Sequence, residues 1–254
     1  MRIEKDSNDI YHSHDSISAS GLKYISKYSV FHFLNRIQKE TESMAFGTAV
    51  HTALLEKDTF YDIYHVMPEI GDLRKKENKE LKKLEEEKAD GKILLSNTDY
   101  ERIKGILKNF KKNKLAQKYC LGEVELSHYL EYDNIPVRVR PDVINHVAGF
   151  ISDVKTCQDA SPDAFRRDVF KWGYHLQAAF YMDMLEVDTF KFVCVEVNHP
   201  YTVVVHTLND EFIELGRKKY KQALKDWKHY LVTKEISLYH PDNLCDDGSY
   251  LICK

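Results

Sequence analysis

The chain has 254 residues, of which 43% are hydrophobic and 30% charged, with a formal net charge of −3. That composition fits a globular domain, and it holds no apolar run near the roughly 18 residues that a bilayer-spanning helix needs. The acidic balance removes overall positive charge as an argument for nucleic-acid binding, while leaving room for a local basic groove.

The opening MRIEKDSNDIYHSHD is polar and unlike a secretory leader, so a cytoplasmic location is expected, with residues 1–16 a flexible segment and 17–254 a single domain. Five cysteines, Cys120, Cys157, Cys194, Cys245 and Cys253, are scattered without a CxxC pair. Free thiols are expected, with neither a disulfide framework nor a zinc site.

In chain order, SISASGLKYISKYSVFHFLNRI reads as one helix over 16–37, with Leu22, Ile25, Val30, Phe33, Leu34 and Ile37 at mostly helical spacing. SMAFGTAVHTALLE reads as a second, with Ser43 as a candidate cap and small residues at 45, 47 and 49 for close packing. FYDIYHVMP reads as a short strand. A charged helical insertion follows at about 73–92, where Lys and Glu alternate at i, i+3 and i+4. SNTDYERIKGILKNFKKN is an amphipathic helix capped by Ser96 or Asn97.

From residue 122 the pattern changes to three strands, EVELSHYLEY, IPVRVRPDVI and HVAGFISDVKT, with turns between them. Two helices follow, at about 162–170 and 173–185, then strands TFKFVCVEVN and YTVVVHTL, then a long amphipathic closing helix. The sum is an α/β fold: a central mixed β-sheet flanked by helices, with an N-terminal helical elaboration.

The strands carry groups that do not belong in an apolar interior. Asp142 ends one strand and Asp153 lies in the next, with Lys155 two residues on and so on the same face. Buried carboxylates that converge repel unless a cation lies between them, and hard oxygen ligands of this kind suit Mg²⁺ or Mn²⁺. An ammonium beside such a cation can orient a water or offset charge on a phosphate, which is the chemistry of phosphodiester hydrolysis. On the preceding strand Glu125 shares a face with Ser127 and can join the acids; Glu123 lies on that face too and is a rival. In YHLQAAFY, Gln177 and Tyr181 are four apart and lie on one helical face.

Pro141-Asp142 with Asp153-Val154-Lys155 resembles the PD-(D/E)xK nuclease superfamily, and Gln177-x-x-x-Tyr181 with His51 in GTAVH resembles its RecB-like branch. More closely, ISASGLKYI, FGTAVHTALLE, EVELSHYLEY, RVRPDVI, FISDVKT and YHLQAAFY, spanning residues 17 to 181, resemble the exonuclease VIII (RecE-type) nuclease domain of phages and prophages. One departure is the aspartate, in place of glutamate, in D-x-K.

The resemblance implies a PD-(D/E)xK restriction-endonuclease-like core. Its metal site would draw on His51, Asp142, Asp153, the Val154 carbonyl and Glu125, with Lys155 acting on the water or the transition state. Gln177 and Tyr181 would bracket the site, and Arg166, Arg167 and Lys171 are candidates for DNA phosphate contacts. The implied activity is a Mg²⁺-dependent exodeoxyribonuclease, with Mn²⁺ able to substitute, that digests one strand of linear duplex DNA from a 5′ end. The implied partners are double-stranded DNA ends, further copies of the chain in a ring (trimer or tetramer) and a single-strand annealing protein. Alternatives are another endonuclease or single-strand nuclease on the same core, or an inactive DNA-binding module. Some RecB-like relatives carry an iron–sulfur cluster; the cysteine spacing here does not match theirs, and no cluster is expected.

Overall fold

The computed structural model describes residues 1–37, 39, 41–236 and 238. Cys245 and Cys253, with the expectation of free thiols there, lie outside the described residues. The chain begins with β1 (Arg2–Glu4), α1 (Asn8–Ser13) and β2 (Ile17–Ser18). Residues 1–16, expected to be loosely attached, are thus built into the molecule, and the cause lies in two arginines further along. Arg138 and Arg140 are only 7% and 9% exposed. Burying a guanidinium requires acceptors. The N-terminal segment supplies them: Arg138 Nη1 donates to the His14 carbonyl at 2.5 Å, and Arg140 donates to Asn8 Oδ1 at 2.9 Å and the Asp6 carbonyl at 3.2 Å.

The helix expected over 16–37 is two helices, α2 (Ala19–Lys27) and α3 (Val30–Leu34), because the Ser29 hydroxyl caps a fresh N-terminus by accepting from His32 N. Next come α4 (Glu42–Leu55), α5 (Phe60–Ile63), β3 (Tyr64–Val66), α6 (Lys76–Lys88) and β4 (Ile93–Leu95). Thr41, not Ser43, caps α4, its hydroxyl accepting from Met44 N. The short strand read at 60–68 is a helical turn followed by β3. The charged stretch forms α6, exposed along its Lys–Glu pairs and anchored by Glu85, which meets His65 and Lys88. After it stand α7 (Asn97–Phe110), capped by Ser96, and α8 (Lys114–Tyr119).

The strands of the second half are β5 (Glu123–Val124), β6 (Ser127–Tyr132), β7 (Ile135–Val139), β8 (Val143–Asn145) and β9 (Phe150–Cys157). They are followed by α9 (Pro162–Trp172), α10 (Tyr174–Leu185), β10 (Phe190–Glu196), β11 (Val203–His206) and α11 (Asp210–Thr233). Two of the three long strands read from sequence therefore break, β5 from β6 at Glu125 and β7 from β8 at Arg140–Asp142, and each half joins a different sheet. One sheet has the order β11-β10-β9-β8-β5 and is mixed, with β9 and β10 parallel and the other pairs antiparallel. The second has the order β1-β6-β7-β2, and β3 pairs with β4 apart from both.

Helices cover both faces of the five-stranded sheet. On one face Ile151, Phe192 and Cys194 pack with α2, α10 and α11; on the other Val154, Val193 and Val195 pack with α4 and α7. The alternation of β9 sorts its residues accordingly, so Asp153 and Lys155 face the α10 side while Val154 faces α4. The helical layer over the site is tight where α11 crosses α10: a Cβ on Gly216 would lie 2.0 Å from the His175 carbonyl oxygen. Backbone cannot yield as a side chain does, so Gly216→Ala should lower stability by at least about 1–3 kcal/mol in urea unfolding.

Candidate active site

The break between β7 and β8 delivers Asp142 to the edge of β9, where its Oδ2 accepts a hydrogen bond from Val154 N at 2.6 Å. The same residue holds the histidine of α4, because the Val154 carbonyl accepts from His51 Nε2 at 2.8 Å. With Nε2 donating, a neutral His51 ring presents a bare Nδ1, and that atom lies 3.4 Å from Asp142 Oδ2. Val154, expected as a carbonyl ligand, thus braces Asp142 with its N–H and His51 with its C=O.

Glu125 completes the group. Its φ of +54° breaks the alternation of the strand and swings it away from Glu123, while its N–H donates to the Asp142 carbonyl at 3.2 Å. One ligating atom from each of His51, Glu125 and Asp142 lies within 4.8 Å of the others. Glu123 is exposed on β5 and outside this group.

Asp153 stands just behind, 1% exposed. Its Oδ1 accepts from Gln177 Nε2, and Lys155 Nζ forms an ion pair with Oδ2. Gln177 is held from its other end by Lys23 of α2, whose Nζ donates to Oε1 at 3.2 Å. Lys23 was not singled out in the sequence; nothing local marks a helical lysine as turned inward. Tyr181 is buried, and its hydroxyl donates to the Arg140 carbonyl at 3.1 Å, two residues before Asp142. Gln177 and Tyr181 therefore act on different sides, one on Asp153 and the other on the break between β7 and β8 that carries Asp142.

The electrostatics follow from crowding. Burial and the neighbouring Asp153 raise the Asp142 carboxyl to about 6, against the pull of His51 and Lys155. Burial and Asp142 raise Glu125 to about 8. Burial works against the Lys155 ammonium, but Asp153, Tyr174 and Asp142 outweigh it and its pKa is raised. Burial and Lys155 lower Lys23 to about 8. Two carboxyls that resist ionisation and a histidine nitrogen, with the buried Asp153 carboxylate beside them, make a donor set that fits a divalent cation such as Mg²⁺ or Mn²⁺.

Asp142 and Glu125 bind their protons more tightly in the folded protein than in the unfolded chain. The metal-free protein therefore loses stability as pH rises from the ordinary carboxylate range to about 8. Glu125→Gln should flatten this decline: in thermal melts with chelator, the variant should gain on the parent between pH 5 and pH 9.

His51, Glu125 and Lys155 line a cleft of about 1000 Å³ together with Trp172 and Tyr174. Arg167 and Lys171 of α9 line a neighbouring cleft of about 590 Å³ with Thr156 and Cys157, and Arg166 is exposed on the same helix. Among the described residues no helix is long and apolar enough to cross a membrane.

A family model described as a PDDEXK-like domain of unknown function, DUF3799, matches residues 18–246. The chain belongs to this family. The PDDEXK-like domain also has the fold of a solved structure from Eubacterium rectale named "Putative exonuclease", at 15% identity and a TM-score of 0.62, covering 99% of this chain and 96% of that one. A phage related exonuclease from Haemophilus somnus 129PT aligns over 89% of this chain and 100% of its own at 14% identity, with a TM-score of 0.37 too low to carry an argument. No curated protein matches the chain. The PDDEXK label names an acid, a second acid and a lysine, which are the residue types at 142, 153 and 155.

Proposed function

We propose that the protein is a divalent-metal-dependent deoxyribonuclease that hydrolyses phosphodiester bonds of linear double-stranded DNA. The observation that carries this reading is the convergence of His51, Glu125 and Asp142 within 4.8 Å, beside a buried Asp153–Lys155 pair. His51 through Nδ1, Glu125 and Asp142 would hold the cation, with the Asp153 carboxylate next to them. Bound there, a divalent cation supplies Lewis-acid stabilisation of charge on a phosphoryl oxygen.

The chain's own groups do the rest. Val154 fixes both the histidine ring and the Asp142 carboxylate from one residue's backbone, so these two donors are oriented before any ligand arrives. Lys155 keeps its proton and sets a positive charge where a phosphate oxygen gathers negative charge. Gln177, clamped by Lys23, points its amide donor at Asp153 and holds that carboxylate's second oxygen toward Lys155.

The finer reading is a processive exonuclease of the exonuclease VIII type, working 5′ to 3′, leaving a 3′ single strand, assembling as a ring and serving a single-strand annealing protein. Its support is the ordered set of sequence matches from 17 to 181. The test is digestion of end-labelled linear duplexes, blocked separately at the 5′ and 3′ termini, with Mg²⁺ or with chelator. Release of mononucleotides that stops only when the 5′ end is blocked is expected. Equal cleavage of closed circles would replace the reading with an endonuclease, and inertness with every cation would leave a binding module. Light scattering should give a trimer or tetramer; a monomer at about 10 μM would remove the ring.

A further inference from the structure

Next to the candidate active site a groove of about 650 Å³ is bounded by α2, the corner between α9 and α10, and α11. Four lysines line it, Lys23, Lys27, Lys171 and Lys219, and among the described residues no carboxylate does. The whole chain has 40 acidic and 37 basic residues, so the groove is a local sorting of charge against the background. Aromatic rings stand between the lysines and are partly exposed: Tyr28, Phe170 and Trp172 are 40%, 46% and 50% exposed. Ammonium groups and rings are interleaved, with Lys27 Nζ 5.3 Å from the Tyr28 centroid and Lys171 Nζ 4.7 Å from that of Trp172.

The groove is continuous with the site. Tyr174 and Trp172 line both this groove and the cleft that holds His51 and Glu125. The Tyr174 ring lies 5.9 Å from Lys23 Nζ and 4.9 Å from Lys155 Nζ. A ligand lying in the groove therefore ends beside Lys155.

Exposed aromatic rings among lysines have one natural polyanion. In duplex DNA the base faces are stacked on each other and hidden, whereas unpaired bases offer them to a ring, and each stacked base contributes independently of its sequence. A protein partner fits less well, because protein interfaces are depleted of lysine at their centre. We propose that this groove binds a single-stranded segment of DNA, its bases stacking on Trp172 and Tyr28 and its phosphates following Lys27, Lys171 and Lys219 toward Tyr174. The choice of DNA as ligand rests on the deoxyribonuclease reading; the existence of the binding site rests on the groove.

The test is fluorescence anisotropy of an end-labelled oligothymidylate of about 15 nucleotides with the full chain in chelator, so that no hydrolysis is needed. Trp172→Ala should weaken binding about 5- to 100-fold, and Lys27→Glu with Lys219→Glu at least about tenfold with a shallower salt dependence. Lys79→Glu, on the exposed side of α6, should bind as the parent does. An unlabelled blunt duplex of equal length should compete more weakly than the single strand. Thermal melts accompany each variant, so a loss of binding counts only where the fold persists; Trp172→Phe, which keeps a ring, should recover most of the affinity. Parent-like affinity in both Trp172→Ala and the lysine pair, equal competition by duplex, or no binding by the parent at about 100 μM would overturn the proposal. Metal-dependent hydrolysis of duplex DNA is scored separately, so the groove and the nuclease reading stand or fall apart.

Discussion

Asp142→Asn should lower Mg²⁺-dependent hydrolysis of linear duplex DNA by about three orders of magnitude while leaving the fold at least as stable as the parent. The substitution keeps a side-chain oxygen to accept from Val154 N, so the local hydrogen bond survives. What it removes is the charge that would hold a cation with His51 and Glu125. Cation-derived stabilisation of a phosphoryl transition state amounts to several kcal/mol, and each 1.4 kcal/mol is a factor of ten. The stability outcome separates this residue from an ordinary structural acid. The crowded Asp142 carboxyl has its pKa raised, so at pH 8 the folded protein carries an unfavourable charge that asparagine lacks. Melts in chelator at pH 8 should therefore show a Tm equal to or above the parent's, and calorimetry should show weakened Mn²⁺ uptake. Activity retained within tenfold would remove Asp142 from the site.

The parts of this site that could be read in the sequence are those governed by short-range spacing. Asp153 and Lys155 share a strand face by the two-residue period, and Gln177 and Tyr181 share a helix face by the four-residue period; both relations hold in the structure. The period failed where the backbone leaves the regular region. Alternation put Glu123 and Glu125 on one face and could not choose between them, because the choice is made by the positive φ at Glu125, which ends β5 and turns its side chain toward Asp142. Lys23 was invisible for another reason: its partner, Gln177, is 154 residues away, and only the packing of α2 on α10 brings them together. The seating of residues 1–16 did have a signal. Arg138 and Arg140 sit two apart in an apolar strand, so both face one way, and two guanidiniums on one buried face require acceptors from elsewhere in the chain.

Lys155→Ala should cost both activity and stability, and a second substitution should separate the two. The side chain is 19% exposed and that of Asp153 2%, so their ion pair is largely withdrawn from water. Removing one member of a buried pair leaves the other charge without compensation, typically a loss of about 3–5 kcal/mol. Here Gln177 still donates to Asp153 and Lys23 still acts on it through space, so the loss in urea unfolding at pH 7 should lie near the lower bound, about 3 kcal/mol. Asp153→Asn added to Lys155→Ala removes the stranded charge and should restore most of that stability. Hydrolysis should behave differently: losing a positive donor aimed at transition-state charge costs about 10²–10³-fold, and the double variant, lacking the amine and an acid, should fall further. Cleavage by Lys155→Ala that falls far more than its folded fraction accounts for would place the amine in the chemistry; recovery of cleavage together with stability in the double variant would make Lys155 a structural counter-ion of Asp153.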